Sequence, residues 1–271
     1  MKITINDFSI DVRLSAVLIF LLMIALGYTE QFFVLYIFMI IHELIHILTA
    51  HFLGCKCKGI VIMPIGLQGK IEELENKPLY KRNIIIGAAS LFNIIAGIII
   101  NRSYIGIGNI LIGIFNLLPI YPLDGAMLFR NMAGYFLGTL KAEKYVGILS
   151  SFFIAILFFI GIIWLVLFDF SFFPLIISVY LYKESRKIYF VKAFYFYKGL
   201  FKNKSTALNK IRFRKYCENT TLKELLYSFG IDYYTMIYVN GKIIDEDKIK
   251  FYICKYGLNI TIGDILNNFS L

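Results

Sequence analysis

The sequence predicts an α-helical polytopic membrane protein with about six transmembrane helices, and three observations support this fold class. First, 59% of the 271 residues are hydrophobic and only 17% are charged, with a mean hydropathy of +0.71. Second, predominantly apolar runs recur along the chain. Third, the positive charges, which give a formal net charge of +10, lie in the loops between these runs and after the last one. This composition is too apolar for an ordinary soluble domain, and the charge distribution argues against a nucleic-acid partner.

The apolar runs are segments bounded by turns or charged residues, and a membrane helix needs about 20 such residues. The runs are approximately 14–28, 32–53, 83–100, 105–118, 145–168 and 170–182. Basic residues follow the second, fourth and sixth runs, whereas the turns after the other runs carry almost none. Because cytoplasmic loops are enriched in Lys and Arg, we expect a multi-pass protein with both termini in the cytoplasm.

Two short segments have the pattern of β-strands. Residues 1–12 alternate polar and apolar side chains, which predicts either a short strand or an interfacial lead-in, and residues 59–69 combine β-branched residues with glycines. We interpret 59–69 as a short membrane-associated β segment, which is either a plain cytosolic hairpin or an edge to which an extended peptide can add. Residues 72–82 are polar and amphipathic, and a polar loop with Arg130 is expected between the fourth and fifth runs.

The second run contains the sequence His-Glu-Leu-Ile-His at residues 42–46. On a helix, His42 and His46 lie one turn apart on nearly the same face, so that the two imidazoles can bind one zinc ion and Glu43 can act as a base. Inserting a charged side chain at membrane depth costs about 2.5–3.5 kcal/mol of free energy. Binding a metal ion would explain why polar side chains occur there. The alternative is a pair of buried histidines beside a glutamate whose carboxylate reaches toward water.

The end of the fourth run supplies a further candidate ligand. There, Asn116-Leu-Leu-Pro-Ile-Tyr-Pro-Leu-Asp-Gly125 breaks the helix where polar groups appear. The topology places Asp124 at a depth similar to that of the two histidines, so it is a candidate third ligand that leaves a fourth position for water. The alternative is a simple turn with Asp124 in water. Asn93, in the third run, is interpreted either as an interhelical hydrogen-bonding residue or as a substrate contact.

We divide the chain into a membrane-embedded domain over 1–182 with a core at 32–130, a basic aromatic linker over 183–215, and a soluble α/β module over 216–271. The linker suits either a helix on anionic headgroups or a plain connection. In the module we expect a capped helix at 220–230, a hairpin around Asn240-Gly241, a helix after Asp245, a strand near 259–261 and a terminal helix near Asp264. Cys55 and Cys57 are predicted to be reduced.

The His-Glu-Leu-Ile-His motif at 42–46 and the segment Asn116–Gly125 together resemble the site-2 protease family of intramembrane zinc metalloproteases. This resemblance implies that His42, His46 and Asp124 bind one Zn²⁺ per chain, that Glu43 is the catalytic base, and that Asn116 lies near the scissile peptide. Gly125-Ala126 stands where many relatives have two glycines. The alternatives are another membrane zinc peptidase, acting on lipid-anchored or anti-sigma substrates, and a non-catalytic membrane scaffold.

The module at 216–271 is similar to a CBS domain, which implies that ATP is sensed there, with Thr261 and Asp264 as weak nucleotide-binding candidates. A lone copy would pair with a second chain, which implies a homo-oligomer. The whole layout resembles the sporulation members of the family. That likeness implies cleavage of the sigma-K precursor, inhibitory or regulatory membrane proteins as partners, and a location in the outer forespore membrane facing the mother cell.

Overall fold

The computed structural model of the chain describes residues 2–5, 8–25, 27, 29–63, 66–72, 74–100, 104–167, 173–200, 211–230 and 233–268. The chain divides into two units. The first unit comprises Met1–Pro119 and Leu123–Leu128, and the second comprises Ile120–Pro122 and Phe129–Leu271.

The first unit contains a four-stranded mixed sheet at the positions where strands were expected. Its strands are β1 (Lys2–Ile5), β2 (Phe8–Val12), β3 (Cys57–Met63) and β4 (Gly66–Ile71). They pair in the order β1-β2-β3-β4, with β2 and β3 parallel and the outer pairs antiparallel. The prediction of a short β segment at 59–69 is therefore confirmed, and β4 packs against the histidine-bearing helix.

Four helices of the first unit surround the candidate site. They are α1 (Leu14–Ala25), α2 (Thr29–Phe52), α3 (Leu79–Ile100) and α4 (Tyr104–Asn116). Helix α3 begins four residues before the predicted apolar run and includes Arg82, which is buried and pairs with Glu75 at 3.1 Å. Helices α3 and α4 approach closely at glycines: a β-carbon at Gly97 would lie 2.6 Å from the Gly106 carbonyl oxygen.

The region after Asp124 was wrongly predicted as a polar loop. It forms helix α5 (Asp124–Leu137), and α6 (Thr139–Leu167) follows almost at once. Pro119 and Pro122 before the helix and Gly125 in its first turn suggested an irregular turn. The acidic residue in the first turn, Asp124, nevertheless favours a helix. Helix α7 (Phe173–Leu200) continues the sixth apolar run into the predicted linker, of which residues 201–210 lie outside the described residues.

Two helices of the described residues are long and apolar enough to cross a bilayer by length and composition: Leu79–Ile100 and Thr139–Leu167. Tyr36–Phe52 and Ile105–Asn116 are shorter apolar helical stretches. The count of about six spans therefore stays a prediction, while a largely helical fold with a few mixed strands is what the structure has.

A buried polar network joins the Pro-rich turn to α5 and α6 within the second unit. The Tyr121 side chain is fully buried, and its hydroxyl donates to Glu143 Oε2 at 2.7 Å. The other oxygen of Glu143 lies 2.6 Å from Arg130 Nε. The Tyr121 backbone N–H donates to the Ser150 hydroxyl at 3.2 Å. These bonds satisfy a buried carboxylate and fix the turn by both its side chain and its backbone.

The C-terminal module contains most of the expected elements. It comprises β5 (Ile211–Lys215), α8 (Leu222–Leu226), β6 (Tyr234–Val239), β7 (Lys242–Asp245), α9 (Glu246–Tyr256) and α10 (Ile262–Asn268). The hairpin at Asn240-Gly241 is confirmed, with φ of 44° and 81° as its tight turn requires. The strand expected near 259–261 is wrong, since only a single bridge from Thr221 to Thr261 forms there.

Strand β5 lies inside the predicted linker. One of its side chains contacts the last turn of α5. It pairs in parallel with β6, so the folded module begins at Ile211, five residues before the boundary predicted from the sequence. The Arg212 guanidinium lies between two rings, 4.3 Å from the centroid of Tyr135 and 4.4 Å from that of Tyr233. Leu140 enters the module's hydrophobic core. Aromatic faces attract a guanidinium, so this stack holds the module against the α5–α6 turn.

Candidate metal centre

Helices α2 and α5 bring the three candidate ligands together. His42 Nε2 and His46 Nε2 lie 3.2 Å and 3.1 Å from Asp124 Oδ2. The three ligand atoms all lie within 4.8 Å of one another, and each histidine is only 7% exposed. The two imidazole rings are nearly perpendicular, with centroids 4.8 Å apart, and both Nε2 atoms lie near the same carboxylate oxygen.

The donor set and its spacing fit a zinc ion. Ligand atoms about 2.0–2.1 Å from a tetrahedral zinc ion lie about 3.3 Å from each other, close to the two distances to Asp124. The carbonyl oxygen of Ile85 accepts a hydrogen bond from His46 Nδ1 at 2.8 Å. A neutral His46 with its proton on Nδ1 presents the Nε2 lone pair to the centre, as metal binding requires. The outer nitrogen of His42, Nδ1, is buried without a hydrogen-bond partner among the described residues.

Close packing at Gly125 sets the position of Asp124. A β-carbon at Gly125 would fall on the carbonyl group of Leu117, so the first turn of α5 can lie against the end of α4 only with glycine there. The Ser90 hydroxyl of α3 then donates to Asp124 Oδ2 at 3.0 Å. Sequence reasoning did not identify Ser90 as a site residue, because its role depends on how α3 packs and not on any local motif.

Glu43 lies beside the centre and faces strand β4. Its Oε1 accepts a hydrogen bond from the Gly69 backbone N–H at 2.5 Å. A β-carbon at Gly69 would lie 2.9 Å from the same oxygen, so a side chain there would displace the carboxylate. The β segment that was predicted from β-branched residues and glycines therefore holds the candidate base in place.

Two asparagines singled out from the sequence have different surroundings. Asn116 ends α4, and its Nδ2 donates to the Ile112 carbonyl oxygen of the same helix at 3.0 Å. Asn93 is fully buried, yet neither its Nδ2 nor its Oδ1 has a hydrogen-bond partner within the described part of the chain. The interpretation of Asn93 as an interhelical hydrogen-bonding residue is therefore wrong among the described residues.

Thr261 and Asp264, the weak nucleotide candidates, bind each other at the start of α10. Asp264 Oδ2 accepts from the Thr261 hydroxyl at 2.6 Å and from its backbone N–H at 3.0 Å. The Thr261 hydroxyl oxygen in turn accepts from the Asp264 N–H at 3.2 Å. These hydrogen bonds lower the pKa of the Asp264 carboxyl. This reciprocal pattern is that of a helix cap.

Comparison with known proteins agrees with this geometry. Residues 102–160 match the description of Peptidase family M50. A zinc metalloprotease of Methanocaldococcus jannaschii is 27% identical over 128 residues, which is 42% of this chain and 37% of that protein. The chain thus spans little more than a third of that curated relative.

A solved structure, the site-2 protease from Methanocaldococcus jannaschii, superposes with a TM-score of 0.54 at 21% sequence identity. The match covers 69% of this chain and 94% of that one. The likeness concerns the overall fold, and the family match covers the segment that contains Asp124. Residues 102–160 therefore match peptidase family M50, and the chain is similar in fold to a site-2 protease.

Proposed function

We propose that this protein is an intramembrane zinc metalloendopeptidase that hydrolyses a peptide bond of a membrane-associated protein. The observation that carries the proposal is the convergence of His42, His46 and Asp124, from helices α2 and α5, at the spacing of a tetrahedral zinc site. A zinc ion held by these three residues supplies a Lewis acid that acidifies a water molecule and polarises the scissile carbonyl.

The residues around the centre have separate roles in this proposal. Glu43 takes a proton from the attacking water and returns it to the leaving amine, while the Gly69 N–H fixes the orientation of its carboxylate. Asn116 is the candidate donor to the developing oxyanion, once its amide turns from the Ile112 carbonyl toward the substrate. One good donor in this position is worth about 3 kcal/mol of barrier.

Strand β4 is the proposed docking edge for the substrate. Among the described strands β4 pairs only with β3, so its other edge can accept an extended peptide. An extended peptide exposes its carbonyls, whereas a transmembrane helix hides them, so adding a strand beside Glu43 would present the scissile bond to the site. The hydrogen bond from Gly69 ties this edge directly to the candidate base.

The finer parts of the proposal rest on sequence. We propose a multi-pass protein with about six spans and both termini in the cytoplasm, a membrane domain over 1–182, a linker over 183–215 and a CBS-like module over 216–271. Its layout supports a place in the stage IV sporulation protein FB group, with the sigma-K precursor as substrate, inhibitory membrane partners, and residence in the outer forespore membrane. ATP binding and pairing of two chains through the module belong to the same proposal.

The test combines zinc content with proteolysis in the full chain. We expect the wild type and Glu43→Gln to hold one zinc per chain, and Glu43→Gln to lose cleavage of the co-expressed sigma-K precursor. His46→Ala is expected to lose both zinc and cleavage. His51→Ala, which changes an exposed histidine on the same helix, is the matched control and should keep both.

Each departure from this pattern has a distinct meaning. Unchanged cleavage by Glu43→Gln would refute the proposed mechanism. Zinc binding without cleavage of the sigma-K precursor, but with cleavage of a lipid-anchored or anti-sigma protein, would refute the substrate and keep the chemistry. A wild type that binds no zinc would favour a non-catalytic scaffold.

A further inference from the structure

We propose that Ser90 is a positioning residue of the metal centre, whose hydroxyl holds Asp124 in the orientation that binds the ion. This inference rests on the proposed zinc site and adds to it a residue outside the ligand set. It concerns the affinity for the metal, so that it can be tested without knowing the substrate.

The Ser90 hydroxyl donates to the oxygen of Asp124 that faces the histidines. Ser90 Oγ lies 3.0 Å from Asp124 Oδ2, the same atom that lies 3.2 Å from His42 Nε2 and 3.1 Å from His46 Nε2. A carboxylate can rotate about its terminal bond and present either oxygen. The hydrogen bond from Ser90 selects Oδ2 and so fixes which oxygen meets the ion.

The Ser90 hydroxyl bonds outside its own helix, unlike the hydroxyls of Thr49 and Ser151. The hydroxyls of Thr49 and Ser151 donate to the carbonyl four residues earlier in their own helices, at 2.7 Å and 3.0 Å. That local bond is the usual one for a hydroxyl in an apolar helix. Ser90 is fully buried and instead donates across to the start of α5. The Ser90 hydroxyl is therefore used to orient the carboxylate of Asp124 and not to bond its own helix.

Helix α3 is fixed firmly enough to hold this orientation. One and a half turns before Ser90, the Ile85 carbonyl oxygen accepts the hydrogen bond from His46 Nδ1 at 2.8 Å. On its other side, α4 approaches so closely that a β-carbon at Gly113 would lie 2.7 Å from the Ser90 carbonyl oxygen. A single helix thus orients two of the three ligands, one through a backbone carbonyl and the other through the Ser90 hydroxyl.

The experiment measures zinc affinity of the detergent-solubilised full chain by competition with a chromogenic chelator. We expect Ser90→Ala to weaken zinc binding about 10- to 100-fold, the usual effect of losing such an outer hydrogen bond. Ser178→Ala is the matched control. Ser178 is also buried, at 1% exposure, but its hydroxyl donates to the Leu175 carbonyl at 2.8 Å, and its loss should leave zinc affinity unchanged.

A double-mutant cycle separates positioning from a general effect on the fold. Against an Asp124→Ala background, Ser90→Ala should have no further effect on the weaker binding by the two histidines, since the hydroxyl no longer has its acceptor. The same fold-loss in both backgrounds would overturn the proposal, and so would wild-type affinity in Ser90→Ala. If the wild type binds no zinc, the proposed function fails and this inference fails with it.

Discussion

Replacing Gly69 by alanine tests the contact between β4 and the candidate base. A β-carbon there would lie 2.9 Å from Glu43 Oε1 and 3.2 Å from Ile47 Cγ1. Carbon and oxygen atoms normally pack no closer than about 3.5 Å, so the carboxylate or the strand must move by about 0.6 Å. Such a shift breaks or weakens the hydrogen bond from the Gly69 N–H to Glu43.

The size of the effect follows from that hydrogen bond. A hydrogen bond to a charged group contributes about 1.5–3 kcal/mol, and about 1.4 kcal/mol is a tenfold change in rate. If the bond orients Glu43 for proton transfer, Gly69→Ala should lower the cleavage rate about 10- to 100-fold. Zinc content should stay at the wild-type level, because none of the three candidate ligands is touched.

The assay compares the rate of cleavage of the co-expressed candidate precursor with zinc content in the same preparations. Gly87→Ala is the matched control, since its added β-carbon would meet only Leu128 Cδ1 at 3.9 Å, an ordinary contact in α3. Wild-type cleavage by Gly69→Ala would refute the role of the strand in orienting Glu43. Loss of zinc from Gly69→Ala would mean that β4 supports the metal ligands and not the base.

Three further substitutions test other contacts. Gly125→Ala should lower zinc affinity at least tenfold, measured by chelator competition, because the added carbon meets the end of α4 and displaces the adjacent Asp124; unchanged affinity would contradict this. Glu143→Ala should lower the free energy of unfolding by about 3–5 kcal/mol, since it leaves Arg130 buried without its carboxylate; a loss below about 1 kcal/mol in denaturant unfolding would contradict it. Arg212→Ala should speed amide hydrogen exchange across β5, because each tyrosine ring that contacts the guanidinium contributes about 0.5–2 kcal/mol. Unchanged exchange would argue that the stack does not stabilise β5.

The sequence located the candidate ligands because their chemistry is visible in local patterns. The spacing of His42 and His46 is set by the helical repeat alone, and depth in the membrane relates the pair to Asp124 without any knowledge of packing. Ser90 and Gly69 could not be found in this way. Each acts through one contact with a residue more than 20 positions away in the chain. No periodicity in the sequence encodes such a contact.

The two main errors in the fold have physical causes. Helix α5 was missed because Pro119, Pro122 and Gly125 together suggest an irregular turn, whereas the chain uses them to begin a helix at Asp124. Strand β5 was missed because its alternation is inverted: Ile211 and Phe213 are 55% and 67% exposed, while the arginines that follow each of them turn inward. From the sequence alone, such a pattern of exposed apolar and inward basic residues is typical of a linker. Only the fold shows that Arg212 packs against the rings of two tyrosines.

For Asn93, a buried polar residue, the structure tests one of the two interpretations drawn from the sequence. Asn93 lies in an apolar helix, and its side chain is fully buried. The expected interhelical partner is missing among the described residues, and an unsatisfied buried amide group costs about 1–3 kcal/mol. A leucine, whose side chain branches at the same carbon, would avoid that cost. Asn93 is one turn from Ser90 on the buried face of α3, the helix that orients both His46 and Asp124. The second interpretation drawn from the sequence, contact of Asn93 with the substrate, stays a prediction.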